Sequence, residues 1–238
     1  MTRVKICGIK SLLEARMAIK NGAWAIGQVF AESKRRISVE QAEKINRQLG
    51  REIIKIGVFV NEEFEALQDI IKACSLDMVQ LHGEEAPEYA GELNLPVIKS
   101  FTVTGPVQRS FIDQWPVWAC LFDTYSPAVR GGSGKIFNWS WLEELKGESR
   151  IILAGGLNPA NVGSAIDAVH PLAVDVSSGV EFPGGGKSEE KIEQFMAAVR
   201  QADKNISISG PGRPGSDSGL GPIGEGGAYS GLQTGSKG

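Results

Sequence analysis

No stretch of this 238-residue chain approaches the roughly 20 consecutive apolar residues that a membrane span requires. No charged-then-apolar signal segment opens it either, because strand-like residues begin at Arg3. A cytoplasmic protein is therefore expected. Basic charge is not in excess: 25 Lys and Arg against 28 Asp and Glu leave a net charge of −3. That argues against nucleic acid as the main partner, while leaving room for a small anion at a locally positive site. Cysteine is sparse and scattered, with Cys7, Cys74 and Cys120 far apart and no C-x-x-C pair. This argues against a disulfide framework or a zinc ribbon and fits a reducing compartment. What remains, 42% hydrophobic and 22% charged residues, is the composition of an ordinary globular chain with enough length for a large core.

Short apolar runs alternate with helical patterns along most of the chain. Strands are expected over residues 4–7, 25–30, 53–60, 78–81, 97–101, 119–124, 151–154 and 173–176. Helices are expected over 12–21, 39–49, 63–73, 158–168 and 189–200. Strand–helix alternation means parallel strands with helical crossovers, and eight such units in about 200 residues predict an α/β (β/α)8 TIM barrel. A doubly wound open sheet has the same local signature. The segments after Ala86-Pro87 and from 105 to 114 carry the weakest patterns. From about Asn205 onward the chain is rich in Gly, Ser and Pro, so a catalytic domain over 1–204 and a disordered low-complexity tail over 205–238 are expected.

Candidate chemistry gathers at strand ends. Cys7 closes the first strand, and period-two alternation puts it on one face with Lys5, opposite Val4 and Ile6. A thiol at the C-terminal end of a barrel strand can act as a base, although a lone cysteine is also a good small core residue. Asp123 closes the sixth strand, where it is either a general acid or a loop cap. Asp175 ends the eighth in the same manner and could be a second acid, a hydroxyl ligand or the partner of Lys5. Two glycine-rich turns follow the last two strands: Gly155-Gly156, leading to Asn158-Pro159 as a helix cap, and Ser177-Ser178-Gly179. Turns at these positions in a barrel suit phosphate, held by backbone N–H groups and serine hydroxyls. Arg35 and Arg36 follow the second strand and offer a guanidinium fork for a carboxylate. His82 ends the fourth strand, either on a ligand or simply hydrogen-bonded. Gly131-Gly132-Ser133-Gly134-Lys135 reads as a loop over the site, with Lys135 a candidate ligand, and not as a Walker loop. Lys99 within the fifth strand leaves a Schiff-base lyase open beside a buried ion pair. A sugar-phosphate epimerase and a barrel that only binds a phosphorylated ligand are also open on these residues alone.

Five motifs, in order, resemble the phosphoribosylanthranilate isomerase family of tryptophan biosynthesis. They are Lys5-Ile6-Cys7-Gly8-Ile9, Gln80-Leu81-His82-Gly83, Phe122-Asp123-Thr124 with Gly131-Gly132-Ser133-Gly134-Lys135, Gly155-Gly156-Leu157-Asn158-Pro159 and Asp175-Val176-Ser177-Ser178-Gly179-Val180-Glu181. The resemblance spans about residues 3–200. It implies a (β/α)8 barrel that carries out an Amadori rearrangement of N-(5-phosphoribosyl)anthranilate with no cofactor and no metal. It implies Cys7 as general base and Asp123 as general acid. Ser33-Lys34-Arg35-Arg36-Ile37 would put Arg35 on the anthranilate carboxylate, with Arg36 as the rival. His82 and Asp175 would stand beside the substrate. The partner implied is a small phosphorylated molecule, bound by a monomer or a homodimer. The sequence departs from the family pattern at Gln28, where an aromatic is usual, and at Ala31-Glu32 in a loop one residue short. Both departures are expected to fall on the anthranilate pocket.

Overall fold

A computed structural model describes residues 1–124 and 137–209. The eight strands are β1 (Arg3–Cys7), β2 (Ala25–Val29), β3 (Ile54–Phe59), β4 (Met78–Leu81), β5 (Val97–Val103), β6 (Ala119–Thr124), β7 (Ile151–Leu153) and β8 (Ala173–Val176). They form a closed parallel barrel in sequence order. The open-sheet alternative is thereby excluded. The seam between first and last strands pairs Lys5 with Asp175 and Ile6 with Val176.

Alternation along each strand divides the apolar residues into two layers. Ala25, Ile56, Met78, Ile98, Leu121 and Ile152 fill the barrel interior. Their neighbours, among them Val4, Ile6, Ile26, Val79, Phe122 and Val174, pack against the helical shell. That shell includes α1 (Leu12–Lys20), α2 (Val39–Leu49), α3 (Phe64–Cys74), α6 (Val162–Val169) and α7 (Glu189–Ser209). Capping boxes start α1 at Ser11 with Glu14, and α2 at Ser38 with Gln41. Among the described residues, no helix is long and apolar enough to cross a membrane.

The weakest segments of the sequence are indeed minimal. α4 (Pro87–Gly91) and α5 (Arg109–Ile112) are one-turn helices, and a 3₁₀ segment, Trp139–Leu145, stands between β6 and β7. Two expectations require correction. Asn158 does not cap α6: its side chain accepts from the Ala160 N–H in a tight turn, and the helix starts at Val162 after Asn161. The last helix passes the expected tail boundary at Asn205 and continues to Ser209, because Asn205-Ile206-Ser207-Ile208 still permits helix before Gly210-Pro211. The remainder of the tail and the Gly131–Lys135 motif lie outside the described residues.

Candidate active site

The C-terminal mouth of the barrel opens into a cavity of about 600 Å³, bordered by Cys7, Arg35, His82, Asp123, Asp175 and both glycine-rich turns. The inward phase of β1 places Lys5 one layer below Cys7. Gly27 on the neighbouring strand leaves the room both need, since a Cβ there would lie 2.8 Å from Cys7 Sγ and 3.1 Å from Lys5 Cε. Lys5 Nζ bonds Asp175 Oδ1 at 3.0 Å, so Asp175 is indeed the partner of the buried lysine. Burial works against the Lys5 charge, but the Asp175 carboxylate and Cys7 outweigh it and raise its pKa. Burial also raises the Cys7 thiol, and Asp175 adds to this. Lys5, within hydrogen-bonding reach, and Lys187 pull in the other direction.

Asp123 shares the interior face of β6 with Leu121. Its Oδ1 accepts the Thr124 N–H at 2.7 Å. Burial pushes its carboxyl up to about 6, opposed by that N–H and assisted by Asp175. His82 Nε2 is 3.8 Å from Asp123 Oδ2. The histidine is no cation, because burial and the Lys5 charge push it down to about 4. Gln80 Nε2 donates to Ser100 Oγ at 3.0 Å and lies 3.2 Å from His82 Nδ1, which holds the ring against the barrel interior.

Both arginines border the cavity, but at different depths. Arg36 is 60% exposed and pairs with Glu32 at the rim. Arg35 turns inward across Gly8, whose φ of +83° and missing side chain admit it: a Cβ there would stand 2.5 Å from Arg35 Cδ. Its Nε and Nη2 donate to Glu181 Oε1 and Oε2 at 2.7 and 2.8 Å. Glu181 also accepts from Lys187 Nζ at 2.7 Å. Burial alone would raise the Glu181 carboxyl, but these two cations hold it down to about 2. Sequence reasoning misses Lys187, which follows Gly184-Gly185-Gly186 and reads as solvated. The hairpin turn folds it under instead, through the Glu181–Lys187 bridge.

The glycine turns meet backbone to backbone. A Cβ on Gly179 would come within 1.9 Å of the Leu157 carbonyl oxygen, so the turns after β7 and β8 close into one concave surface. The Ser177 hydroxyl is not spare for an anion, because it donates to the Cys7 carbonyl at 3.0 Å and ties the last turn to the first strand.

Lys99 is no Schiff-base candidate. It faces the helical shell, not the cavity, and bonds Glu85 and the Gly83 carbonyl at 2.7 Å each. That buried pair supports the turn after His82. Gln28 also faces outward, exchanging hydrogen bonds with Asn46 of α2, so this departure from the family pattern lies outside the pocket. Ala31 and Glu32 do border the cavity. Among the described residues, no group of three His, Cys, Asp or Glu side chains is placed to hold a metal ion.

Fold and mouth together define the class: a (β/α)8-barrel enzyme with a thiol and carboxyl groups facing one cavity at the C-terminal end of the strands. A family model for N-(5'phosphoribosyl)anthranilate (PRA) isomerase matches residues 4–198. The N-(5'-phosphoribosyl)anthranilate isomerase of Syntrophomonas wolfei is 58% identical over 201 residues, 84% of this chain and 98% of that one. The crystal structure of phosphoribosyl anthranilate isomerase from Thermus thermophilus superposes with a TM-score of 0.76 at 38% identity, covering 84% of this chain and 99% of that one. A phosphoribosyl anthranilate isomerase in complex with reduced 1-(o-carboxyphenylamino)-1-deoxyribulose 5-phosphate superposes with a TM-score of 0.71 at 39% identity, covering 84% and 100%. The chain belongs to the N-(5'-phosphoribosyl)anthranilate isomerase family.

Proposed function

We propose that Cys7 and Asp123 are the base and acid with which this chain isomerises N-(5'-phosphoribosyl)anthranilate. The family's reaction in tryptophan biosynthesis converts that aminosugar to 1-(o-carboxyphenylamino)-1-deoxyribulose 5-phosphate. Asp123, neutral while its proton is held, protonates the furanose ring oxygen, and the nitrogen lone pair opens the ring to an iminium. The iminium acidifies the adjacent sugar carbon, and the Cys7 thiolate takes that proton. The resulting enolamine tautomerises to the ketone product. The iminium charge forms close to Cys7 and favours the thiolate against the burial that disfavours it. Each proton transfer contributes roughly 10²–10⁴ in rate. Arg35 takes the anthranilate carboxylate, and the joined turns around Gly155, Gly156, Ser178 and Gly179 take the phosphate through backbone N–H groups. His82 and Asp175 border the sugar. Three free, buried cysteines support a reducing, cytoplasmic setting.

The observation that carries this reading is the pairing itself: a thiol from β1 and a carboxyl raised to about 6 on β6, across one cavity. Mixing anthranilate, phosphoribosyl pyrophosphate and the upstream transferase, then adding this protein, should speed the fluorescence decay of the intermediate beyond its spontaneous breakdown. An unchanged decay rate refutes the proposal.

The pH profile of kcat/KM gives a sharper test. The productive form needs Asp123 protonated and Cys7 ionised. Below about pH 6 the thiolate fraction rises tenfold per unit and the acid is full, so the rate climbs. Between there and the raised thiol pKa, gain and loss cancel in a plateau. Above it the rate falls as the acid is depleted. In Asp123→Asn the residual rate should climb through pH 6 without a break. A break that persists there assigns the acid to another group.

Gly179→Ala should drive the two turns apart by its clash with the Leu157 carbonyl. Its KM is expected to rise about tenfold with a smaller fall in kcat, since phosphate binding is made before and during the reaction. Steady-state kinetics on the purified variant check this.

A further inference from the structure

A guanidinium is planar and has two hydrogen-bonding edges. Glu181 occupies the Nε–Nη2 edge of Arg35 with both carboxylate oxygens. The fork geometry turns the remaining Nη1–Nη2 edge away from Glu181, and Arg35 borders the cavity. Glu181 is itself held firmly. Lys187, fully buried, donates to its Oε1, and Lys191 Nζ donates to its backbone carbonyl at 2.7 Å. The Lys187 backbone N–H is in turn fixed on Glu14 Oε1 at 3.0 Å. Buried ionic clusters of this kind add little net stability relative to apolar packing, whereas they do fix geometry. A long arginine left to itself spreads over many rotamers. Here the groove over Gly8 and the carboxylate behind the fork confine it to one.

We propose that Glu181, anchored by Lys187, is a positioning residue that aims Arg35 at the aryl carboxylate of the substrate and so sets the preference for a carboxylated over a plain anilino sugar phosphate. This rests on the reading of Arg35 given above. A carboxylate already bonded to one edge also keeps the guanidinium from collapsing onto Asp175 or Cys7 when the pocket is empty.

The test is the affinity of two ligands: reduced 1-(o-carboxyphenylamino)-1-deoxyribulose 5-phosphate and its anilino counterpart without the carboxylate. Glu181→Gln should weaken the first about tenfold, the scale of losing a charged hydrogen-bond partner, and leave the second within about twofold. Equal weakening of both ligands, or of neither, overturns the proposal. Arg35→Ala separates the two levels of inference. If it abolishes the preference while Glu181→Gln does not, Arg35 stands and the positioning role falls. If the preference survives Arg35→Ala, the carboxylate is bound elsewhere and both fall. Should Glu181→Gln fail to fold around the unpaired Lys187, the Glu181→Gln/Lys187→Met variant is judged by the same criterion. Retained binding of the anilino ligand certifies its fold.

Discussion

Cys7→Ala and Asp123→Asn should each lower kcat by about 10²–10⁴-fold while the phosphorylated product analogue still binds. Stopped-flow assay and ligand titration on the same preparations measure the two effects separately. Unchanged turnover in either variant removes that residue from the mechanism. The second substitution has a further, opposite consequence. Folding raises the Asp123 carboxyl from 3.8 to about 6, chiefly by burial. Ionising it therefore costs the folded state stability that is intact below pH 3.8 and lost as pH rises through about 6. A carboxyl moved that far loses about 3 kcal/mol at most. An asparagine keeps the oxygen that accepts the Thr124 N–H and never ionises. Asp123→Asn should thus be the more stable protein at about pH 8, by about 1–3 kcal/mol, and show no gain near pH 4. Urea melts at the two pH values decide it.

The second large effect is expected at Lys5. Lys5→Met keeps much of the side-chain volume but strands the Asp175 carboxylate in the barrel mouth, bonded until then at 3.0 Å. Removing one member of a buried pair costs about 3–5 kcal/mol. It also takes from Cys7 the stronger of the two cations that favour its ionised form, so thiolate formation and kcat should fall together. The Lys5→Met/Asp175→Asn double variant separates the two losses. Its denaturant midpoint should recover most of the way, because no charge is left uncompensated, while its kcat should not. Recovery of activity along with stability would make Lys5 a purely structural residue.

The parts of the site readable in the sequence are those that obey a local rule. The residue closing a strand on the inward phase is found from the period of two, and that rule places Cys7, Asp123 and Asp175. The two glycine turns are legible for a similar reason, from their position after the last two strands. What fails to show depends on contacts between distant segments. Arg35 and Arg36 are chemically equal side chains that only the family motif ranks in sequence, and the channel over Gly8 shows why Arg35 is the one turned inward. Glu181 and Lys187 look like ordinary charges around a solvated turn until the hairpin buries one of them. Lys99 looks site-directed in sequence because strand periodicity alone does not say which phase is inside, and Gln28 because it departs from the family pattern where an aromatic is usual. β5 and β2 point them at the helices. A helix start is misread where capping chemistry is ambiguous, as at Asn158, whose side chain closes a turn of its own.

Lys5 with Asp175, and the Cys7 carbonyl with Ser177, are joined across a sequence separation of 170 residues. Contacts so remote in sequence form late, after most of the chain has emerged. A nascent polypeptide therefore carries the sulfur proposed as its base without its supporting contacts until β8 has been made. On the proposed mechanism competence waits for the final strand to dock beside the first, and a chain clipped before β8 is expected to be inert in the isomerase assay.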